Sequence, residues 1–302
     1  MVDKSNNNLK RVSVVVNVWC EDDLISFRRS LRSIGRQSHK PDEVLIVVDG
    51  PINKNLHDTI EDFVDRADFP VTKTEIPVAS GLWNARNVGI HAAKFELIAL
   101  HDADDVMHPD RLRIQLNQMG QDDIDVLGSP VYEFDPTNET IVGLRTLAQS
   151  EAINKKMIWQ NVINHSSVML RKSAVNSVGG YRNVYLSEDY DLWLRLIYVG
   201  KKLSTTEYVL QAFSVDRNLN KRRGGPRFVS SELDIHRLVR STKSLGLFMS
   251  WTRLFSRLAF RLGPGFVRQK YRYFCQSKWP RVSPINLEEF MENPPLKVNE
   301  DL

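Results

Sequence analysis

A chain of 302 residues exceeds the length of a typical single domain and fits one large α/β domain with an appended segment. Hydrophobic residues make up 42% and charged residues 26%, so the chain can bury a sizeable core, and a formal net charge of +4 is too small to indicate nucleic-acid binding. Cysteine spacing fits no metal site, and neither a signal core nor a bilayer-length apolar run is present, so we expect free thiols and a cytoplasmic protein.

The first part of the chain alternates β-branched runs with helical spacings, which predicts a parallel sheet covered by helices. The predicted strands are 12–16, 44–48, 71–76 and 97–100, and the predicted helices lie within 24–34, 56–63, 84–94 and 109–119. Ligands of such sheets bind beyond the carboxyl ends of the strands. Asp49 and the acidic cluster that begins at Asp102 both follow predicted strands. We therefore expect them on one edge of the sheet.

The rest of the chain is mixed. Strands are predicted within 126–134, 167–171 and 203–215, a helix over 188–199, and a helical, basic pattern from about residue 233 onward. The predicted organisation is a flexible N-terminus (1–10), a main α/β domain (11–230, with halves 11–120 and 121–230), a basic amphipathic helical extension (231–275) and a loosely held tail (276–302).

Three carboxylates, those of Asp102, Asp104 and Asp105, lie within four residues directly after a hydrophobic strand. Without a partner they would repel one another. A divalent cation removes that repulsion, and carboxylate, water and phosphate oxygens are the ligands that Mg²⁺ or Mn²⁺ prefers. Such a cation would bridge the protein to a diphosphate. The alternative is an acidic loop that caps the next helix.

Several segments together resemble family 2 of the glycosyltransferases with the GT-A fold. In chain order they are 12–16, 43–50, 81–90, 100–105 with 109–112, 179–181 and 188–196. The segment Val48-Asp49-Gly50-Pro51 looks most like transferases of bacterial capsule, exopolysaccharide and lipopolysaccharide assembly. The resemblance implies an inverting, metal-dependent enzyme that moves a sugar from a nucleotide diphosphate, with uridine favoured, onto a glycan or lipid-linked acceptor.

On the donor side, the resemblance assigns Asp49 to the nucleotide base and Arg86 to a place beside the nucleotide. It assigns Asp102 and Asp104 to the metal and the diphosphate, with Asp105 sharing that role. The residues alone do not decide which of the three acids contacts the metal. A surface arginine on a helix remains the alternative for Arg86.

On the acceptor side, the resemblance makes Asp189 the catalytic base and Glu188 its helper. Inversion needs a base that takes the proton of the attacking hydroxyl, and a helix N-terminus favours an ionised carboxylate. Helix capping that begins at Ser187 is the alternative. His165 and Trp83 are candidates for the acceptor or sugar side, with structural roles as their alternatives.

Two basic segments follow the main pattern. Arg222 and Arg223 could close over the diphosphate, or belong to a solvated loop or one that contacts anionic lipid. Arginines interleave with aromatic and aliphatic residues over 251–262, which is typical of a helix on a membrane surface or of one packed on the core with an arginine-rich outer face. A membrane-surface helix would suit a lipid-linked acceptor at the inner face of the plasma membrane.

Two other classes of protein compete with this hypothesis. A nucleotidyltransferase on a similar fold would also use carboxylates and Mg²⁺, but it does not explain Glu188-Asp189 at a helix start. A nucleic-acid-binding or phosphate-binding protein would use the basic C-terminal region, yet it leaves the cluster at Asp102 unexplained. We therefore expect a nucleotide-sugar donor as partner, and no nucleic acid.

Overall fold

Apolar strand segments lie at the centre of the core of the computed structural model, which describes residues 11–146, 150–215, 227–242, 245–263, 270 and 285–298. Its strands are β1 (Val12–Val18), β2 (Glu43–Asp49), β3 (Val71–Ile76), β4 (Leu97–Asp102), β5 (Val106–Met107), β6 (Val126–Gly128), β7 (Val131–Phe134), β8 (Ile141–Arg145), β9 (Met169–Arg171), β10 (Leu203–Thr205) and β11 (Gln211–Ser214). Among these residues a seven-stranded sheet has the order β10-β6-β9-β4-β1-β2-β3, and a smaller sheet has the order β5-β11-β7-β8.

The main sheet is mostly parallel because strands buried on both faces alternate with helices. All seven residues of β2 are buried, and β1 pairs in parallel with both β2 and β4. Only β9 runs antiparallel to its two neighbours in this sheet. The predicted α/β fold with a mostly parallel sheet is confirmed.

Helices cover both faces of this sheet. The α-helices of the described residues are α1 (Leu24–Gly35), α2 (Lys54–Arg66), α3 (Leu82–Ala92), α4 (Arg111–Gln121), α5 (Ser150–Met157), α6 (Lys172–Ser177), α7 (Glu188–Tyr198), α8 (Arg227–Ser241), α9 (Leu247–Leu262) and α10 (Leu287–Glu292), of which α9 and α10 pack elsewhere. Helix α3 packs closely on β1, since a Cβ added at Gly89 would lie 2.4 Å from Cγ1 of Val15. This close approach fixes the helix that carries Arg86 against the strands whose ends form the candidate site.

The smaller sheet is covered by C-terminal residues. Segment 126–134, expected to be strand, divides at Ser129-Pro130 into β6 of the main sheet and β7 of the smaller one. Residues 285–298 were expected to belong to a loosely held tail. Instead, Leu287 and Phe290 of α10 are buried against Tyr132, and Asn286 closes a capping box with Glu289. Apolar burial and helix capping therefore hold this segment in place.

Within its described residues, the predicted helical extension contains helices α8 and α9. Helix α8 packs on α7, and its residues Ile235 and Val239 join the core cluster that contains Trp193. Helix α9 packs on α8 and buries Leu254 and Arg253. Neither these helices nor any other in the described ranges is long and apolar enough to span a membrane.

Candidate active site

The carboxyl ends of β1, β2 and β4 form one edge of the main sheet. Asp49 ends β2 and Asp102 ends β4, beside Asn17 of β1, as the sequence predicted for the two acids. The side chain of Asp102 is 27% exposed, so it reaches solvent between the strand ends and the start of α7, and we refer to this space as the cleft. Trp19 follows β1 at the same edge and is 42% exposed. Its indole gives this edge an exposed flat surface on which a flat ligand could stack.

Asp49 organises the loop that leads into α3. One carboxylate oxygen accepts hydrogen bonds from the backbone N–H of Ser80 at 2.7 Å and from its hydroxyl at 3.0 Å. The other oxygen accepts from the backbone N–H of Gly81 at 3.0 Å. Asp49 thus accepts three hydrogen bonds from its own chain. A ligand could donate to it only through the lone pairs that remain.

Arg86 joins α3 to α7 across the cleft. One guanidinium nitrogen donates to Oε1 of Glu188 at 2.9 Å, and another lies 3.7 Å from Oδ1 of Asp102. The guanidinium also lies over the ring of Tyr181, 5.6 Å from its centroid. Burial opposes its charge, but Asp102 and Glu188 more than offset that effect, so the pKa of Arg86 is raised. The structure therefore brings three of the predicted site residues into one charged cluster.

His165 lies between Asp102 and Tyr181. Its Nε2 is 2.9 Å from the hydroxyl of Tyr181, and its Nδ1 is 3.7 Å from Oδ1 of Asp102, a distance too long for a hydrogen bond. Burial would raise the pKa of Asp102, but His165 and Arg86 outweigh it and hold that pKa below its ordinary value. Asp102 is accordingly an anion at neutral pH.

Two further carboxylates stand near Asp102 at the cleft. Asp104 is exposed, but the surrounding protein limits the hydration of its carboxylate and raises its pKa to about 7, and the charges of Asp102 and Asp22 add to the increase. Burial also raises the pKa of Asp22 to about 6, with Asp102 adding to it. Asp22 lies in the loop between β1 and α1, where its only sequence signal is a short acidic run. A divalent cation reduces the electrostatic repulsion between carboxylates that lie this close together.

The residues fit a cation that takes most of its ligands from outside the protein. Within the described ranges, no three His, Cys, Asp or Glu side chains are arranged to hold a metal ion by themselves. Mg²⁺ commonly uses only one or two carboxylates and completes its shell with water and substrate phosphates. Asp102 and the exposed Asp104 satisfy that smaller requirement.

Asp105 does not face the cleft. It is completely buried, and its Oδ1 accepts a hydrogen bond from the backbone N–H of Ser214 at 2.9 Å. Burial, with Asp104 and Asp102 adding to it, raises its pKa well above the usual range. The expectation that Asp105 shares the metal role therefore does not match its position, because its side chain joins β4 to β11.

Asp189 and Glu188 begin α7, as predicted. Oδ2 of Asp189 accepts a hydrogen bond from the side-chain amide of Asn161 at 2.7 Å, and its Oδ1 accepts from the N–H of Tyr190 at 2.7 Å. Ser187 at the N-cap makes no side-chain capping hydrogen bond, so the capping alternative lacks its main contact. Asn161 is a site residue that sequence reasoning missed, because nothing local to it indicates a partner 28 positions away.

The loop before α7 is fixed from α3. The side chain of Asn87 accepts from the N–H of Tyr181 at 2.7 Å and donates to its carbonyl at 2.9 Å. Gly180 adopts a φ of +74°, and a Cβ there would lie 2.4 Å from Oδ1 of Asn87. These contacts hold Tyr181 beneath Arg86.

The remaining predicted residues are placed as follows. Trp83 is partly buried against the main core cluster. His165 is buried beside Asp102, as described above. Arg222 and Arg223 lie outside the described residues.

A mostly parallel sheet with anionic and cationic groups at its carboxyl edge, joined to a pair of acids at a helix start, is the arrangement of a GT-A glycosyltransferase. The chain belongs to glycosyl transferase family 2, since the family model matches residues 13–179, more than half of its length. A second model, glycosyl transferase family group 2, matches residues 97–283. The predicted family and the predicted glycosyltransferase activity are confirmed.

Two similar curated proteins are bacterial. The amylovoran biosynthesis glycosyltransferase AmsE of Erwinia amylovora is 26% identical over 85% of this chain and 96% of its own length. The UDP-Gal:alpha-D-GlcNAc-diphosphoundecaprenol beta-1,3-galactosyltransferase of Escherichia coli is 29% identical over 76% of this chain and 82% of its own length.

Two solved structures show the same fold. Residues 1–349 of S. aureus TarS with UDP-GlcNAc superpose with a TM-score of 0.60 at 16% identity, over 83% of this chain and 72% of that one. The mannosyltransferase PcManGT of Pyrobaculum calidifontis with GDP-Man and Mn²⁺ gives 0.55 at 14% identity, over 88% and 80%.

Proposed function

We propose that this glycosyltransferase moves a sugar from a UDP-linked donor onto a glycan in the assembly of a bacterial surface polysaccharide. The observation that carries the proposal is the contact of Arg86 with Glu188 and Asp102, which unites the strand ends with the start of α7. The names of the relatives support the proposed donor and pathway class, because one is named for amylovoran biosynthesis and another for UDP-Gal.

Asp102 and Asp104 would hold Mn²⁺ or Mg²⁺. When bound, the cation would neutralise the diphosphate and so make it a better leaving group. A structural neighbour of the same fold was solved with GDP-mannose and Mn²⁺, which supports this proposal. Arg86 lies near enough to Asp102 to keep that carboxylate oriented.

The reaction would invert the anomeric carbon. Asp189 takes the proton from an acceptor hydroxyl, whose oxygen bonds to the anomeric carbon as the bond to the diphosphate breaks on the opposite side. Asn161 holds one oxygen of Asp189 and the N–H of Tyr190 holds the other, so the carboxylate keeps one orientation. The N-terminus of α7 further favours its ionised form.

The other side chains would bind the two substrates. Asp49 would bind the donor base by a hydrogen bond, and the exposed ring of Trp19 would stack on it, a role supported by their positions at the strand ends. Arg222 and Arg223 remain candidates for closing over the diphosphate. His165 remains a candidate for the sugar side.

The acceptor is proposed to be lipid-linked. The galactosyltransferase relative is named for a sugar carried on diphosphoundecaprenol, and the helical segment after the main domain combines apolar and basic residues. An enzyme with such an acceptor would work at the inner face of the plasma membrane.

The test is a screen of nucleotide sugars with Mn²⁺, followed by Asp189→Asn in the active combination. We expect transfer from a UDP-sugar with inversion seen by NMR, and a turnover about 10²–10⁴-fold lower in the variant with donor affinity retained. Asp123→Asn, an exposed acid before β6, is the matched control and should keep full turnover. Near wild-type turnover in Asp189→Asn would exclude this base, and pyrophosphate release from a nucleoside triphosphate would indicate a nucleotidyltransferase.

A further inference from the structure

The outer face of α9 carries an exposed apolar stripe. The stripe consists of Phe248, Trp251, Phe255 and Leu262, which are 80%, 45%, 63% and 56% exposed. At 100° per residue these four positions fall within about 60° of the helix circumference. The rings of Trp251 and Phe255 stack with centroids 5.9 Å apart, so they form one continuous surface. Exposed aromatic residues grouped in this way indicate a binding surface.

The inner face of the same helix is firmly attached to the protein. Ser250, Arg253 and Leu254 are buried. Arg253 donates to the carbonyl of Ile158 at 2.7 Å and to the hydroxyl of Tyr190 at 3.1 Å. The stripe is therefore the outer face of a helix whose opposite face is well packed. It is held in a fixed relation to α7, the helix that begins with the proposed base.

The charge of the helix and of the sequence around it is positive, which favours an anionic partner. Between Asp234 and Glu288 the sequence contains no Asp or Glu and eleven Lys or Arg. Helix α9 itself contains three arginines and no acid. Arg257 and Arg261 pair with Glu232 of α8, so the acid nearest the helix is already neutralised. An apolar, aromatic stripe on a helix whose charged residues are all arginines, within a sequence segment that has no acids, matches the surface of an anionic bilayer.

We infer that the stripe of α9 is a membrane-docking surface that lies in the headgroup region of an anionic bilayer. This inference deepens the proposed function, since it names the surface that would bring the enzyme to a lipid-linked acceptor. The aromatic side chains enter the interface, and the net positive charge of the sequence segment 235–287 attracts the lipid phosphates. Through Arg253 and Tyr190, docking keeps the start of α7 at a fixed place relative to the membrane.

The test measures sedimentation of the full chain with vesicles, without substrates. We expect binding to phosphatidylcholine vesicles that contain phosphatidylglycerol, and little binding to phosphatidylcholine alone. Phe248→Ser, Trp251→Ser and Phe255→Ser combined should weaken binding at least about tenfold. The matched control combines Val142→Ser, Tyr198→Ser and Val199→Ser, exposed apolar positions on other elements, and should bind like the wild type. Thermal unfolding of each variant shows that it is folded.

Three results would overturn the inference. The first is undiminished vesicle binding by the stripe variant, and the second is equal binding of the wild type to neutral vesicles. The third is a wild-type dimer in light scattering that dissociates in the stripe variant, because a second copy would then cover the stripe. Vesicle binding requires no turnover, so a failure of sugar transfer with vesicle binding intact would contradict the proposed function alone.

Discussion

Arg86 is a buried cation that pairs with two carboxylates, those of Glu188 and Asp102. Removing it should therefore lower the stability of the fold. Its side chain is 5% exposed and that of Glu188 is 10% exposed, with 2.9 Å between the paired atoms. Removing one partner of a buried ion pair costs about 3–5 kcal/mol, because the other charge is left without compensation. Asp102 is 27% exposed and lies 3.7 Å from Arg86, so water can solvate its carboxylate when the arginine is removed. We therefore expect Arg86→Met to lower the free energy of unfolding by about 3–5 kcal/mol, nearly all through Glu188.

The magnitude can be checked with a double-mutant cycle in urea unfolding. Glu188→Gln leaves Arg86 with Asp102 and an amide oxygen, so it should cost less than Arg86→Met. The double variant removes both charges and should be more stable than the sum of the single effects by about 1–3 kcal/mol. Arg182→Met removes an exposed arginine and should change stability by less than about 0.5 kcal/mol. Strictly additive effects in the cycle would refute the pairing.

Three further predictions concern the site. Asp104→Asn should abolish the increase in UDP affinity that Mn²⁺ produces, measured by calorimetry. In the wild type that Mn²⁺ effect should increase as pH rises through about 7, the raised pKa of Asp104, because only the ionised carboxylate binds the cation. Asp22→Asn should move this dependence to lower pH, since it removes one source of repulsion. Asn161→Ala should lower kcat about tenfold and leave the donor KM unchanged, because Asp189 loses its orienting amide.

Each of these predictions has an outcome that contradicts it. A Mn²⁺ effect retained in Asp104→Asn would exclude that carboxylate as a ligand, and Asp123→Asn again serves as the control. A pH dependence identical in the wild type and Asp22→Asn would show that the two acids do not interact. If Asn161→Ala raised the donor KM and left kcat unchanged, the amide would act in binding and not on the base.

The strand ends could be predicted from the sequence because their signal is local. Uninterrupted apolar runs predict β2 and β4, and each run stops at an acid that the sheet then places on one edge. The acids at the start of α7 were likewise visible as a pair at a helix N-terminus. The continuity of these local patterns explains why the fold and the positions of these acids could be predicted from the sequence.

Long-range partners could not be predicted in this way. Asp105 follows Asp104 directly, and only the position of β11, more than 100 residues later, shows that its carboxylate points inward to Ser214. Asn161 lies in a loop without periodicity, and its partner Asp189 is known only from the fold. The packing of α10 on the smaller sheet likewise depends on β7. The segment around α10 is short and contains few apolar residues, so its sequence alone does not predict that it is buried.

The contacts of Glu188 and Asp189 also distinguish the roles of these neighbours. Glu188 is buried and gives Oε1 to Arg86, so its geometry serves the link between α3 and α7. Asp189 is half-buried, and its oxygens are held by two uncharged donors, the amide of Asn161 and a backbone N–H. An uncharged donor orients a carboxylate without neutralising it, whereas a guanidinium does both. This difference supports Asp189 over Glu188 as the proposed base, and Glu188→Gln should act mainly on stability.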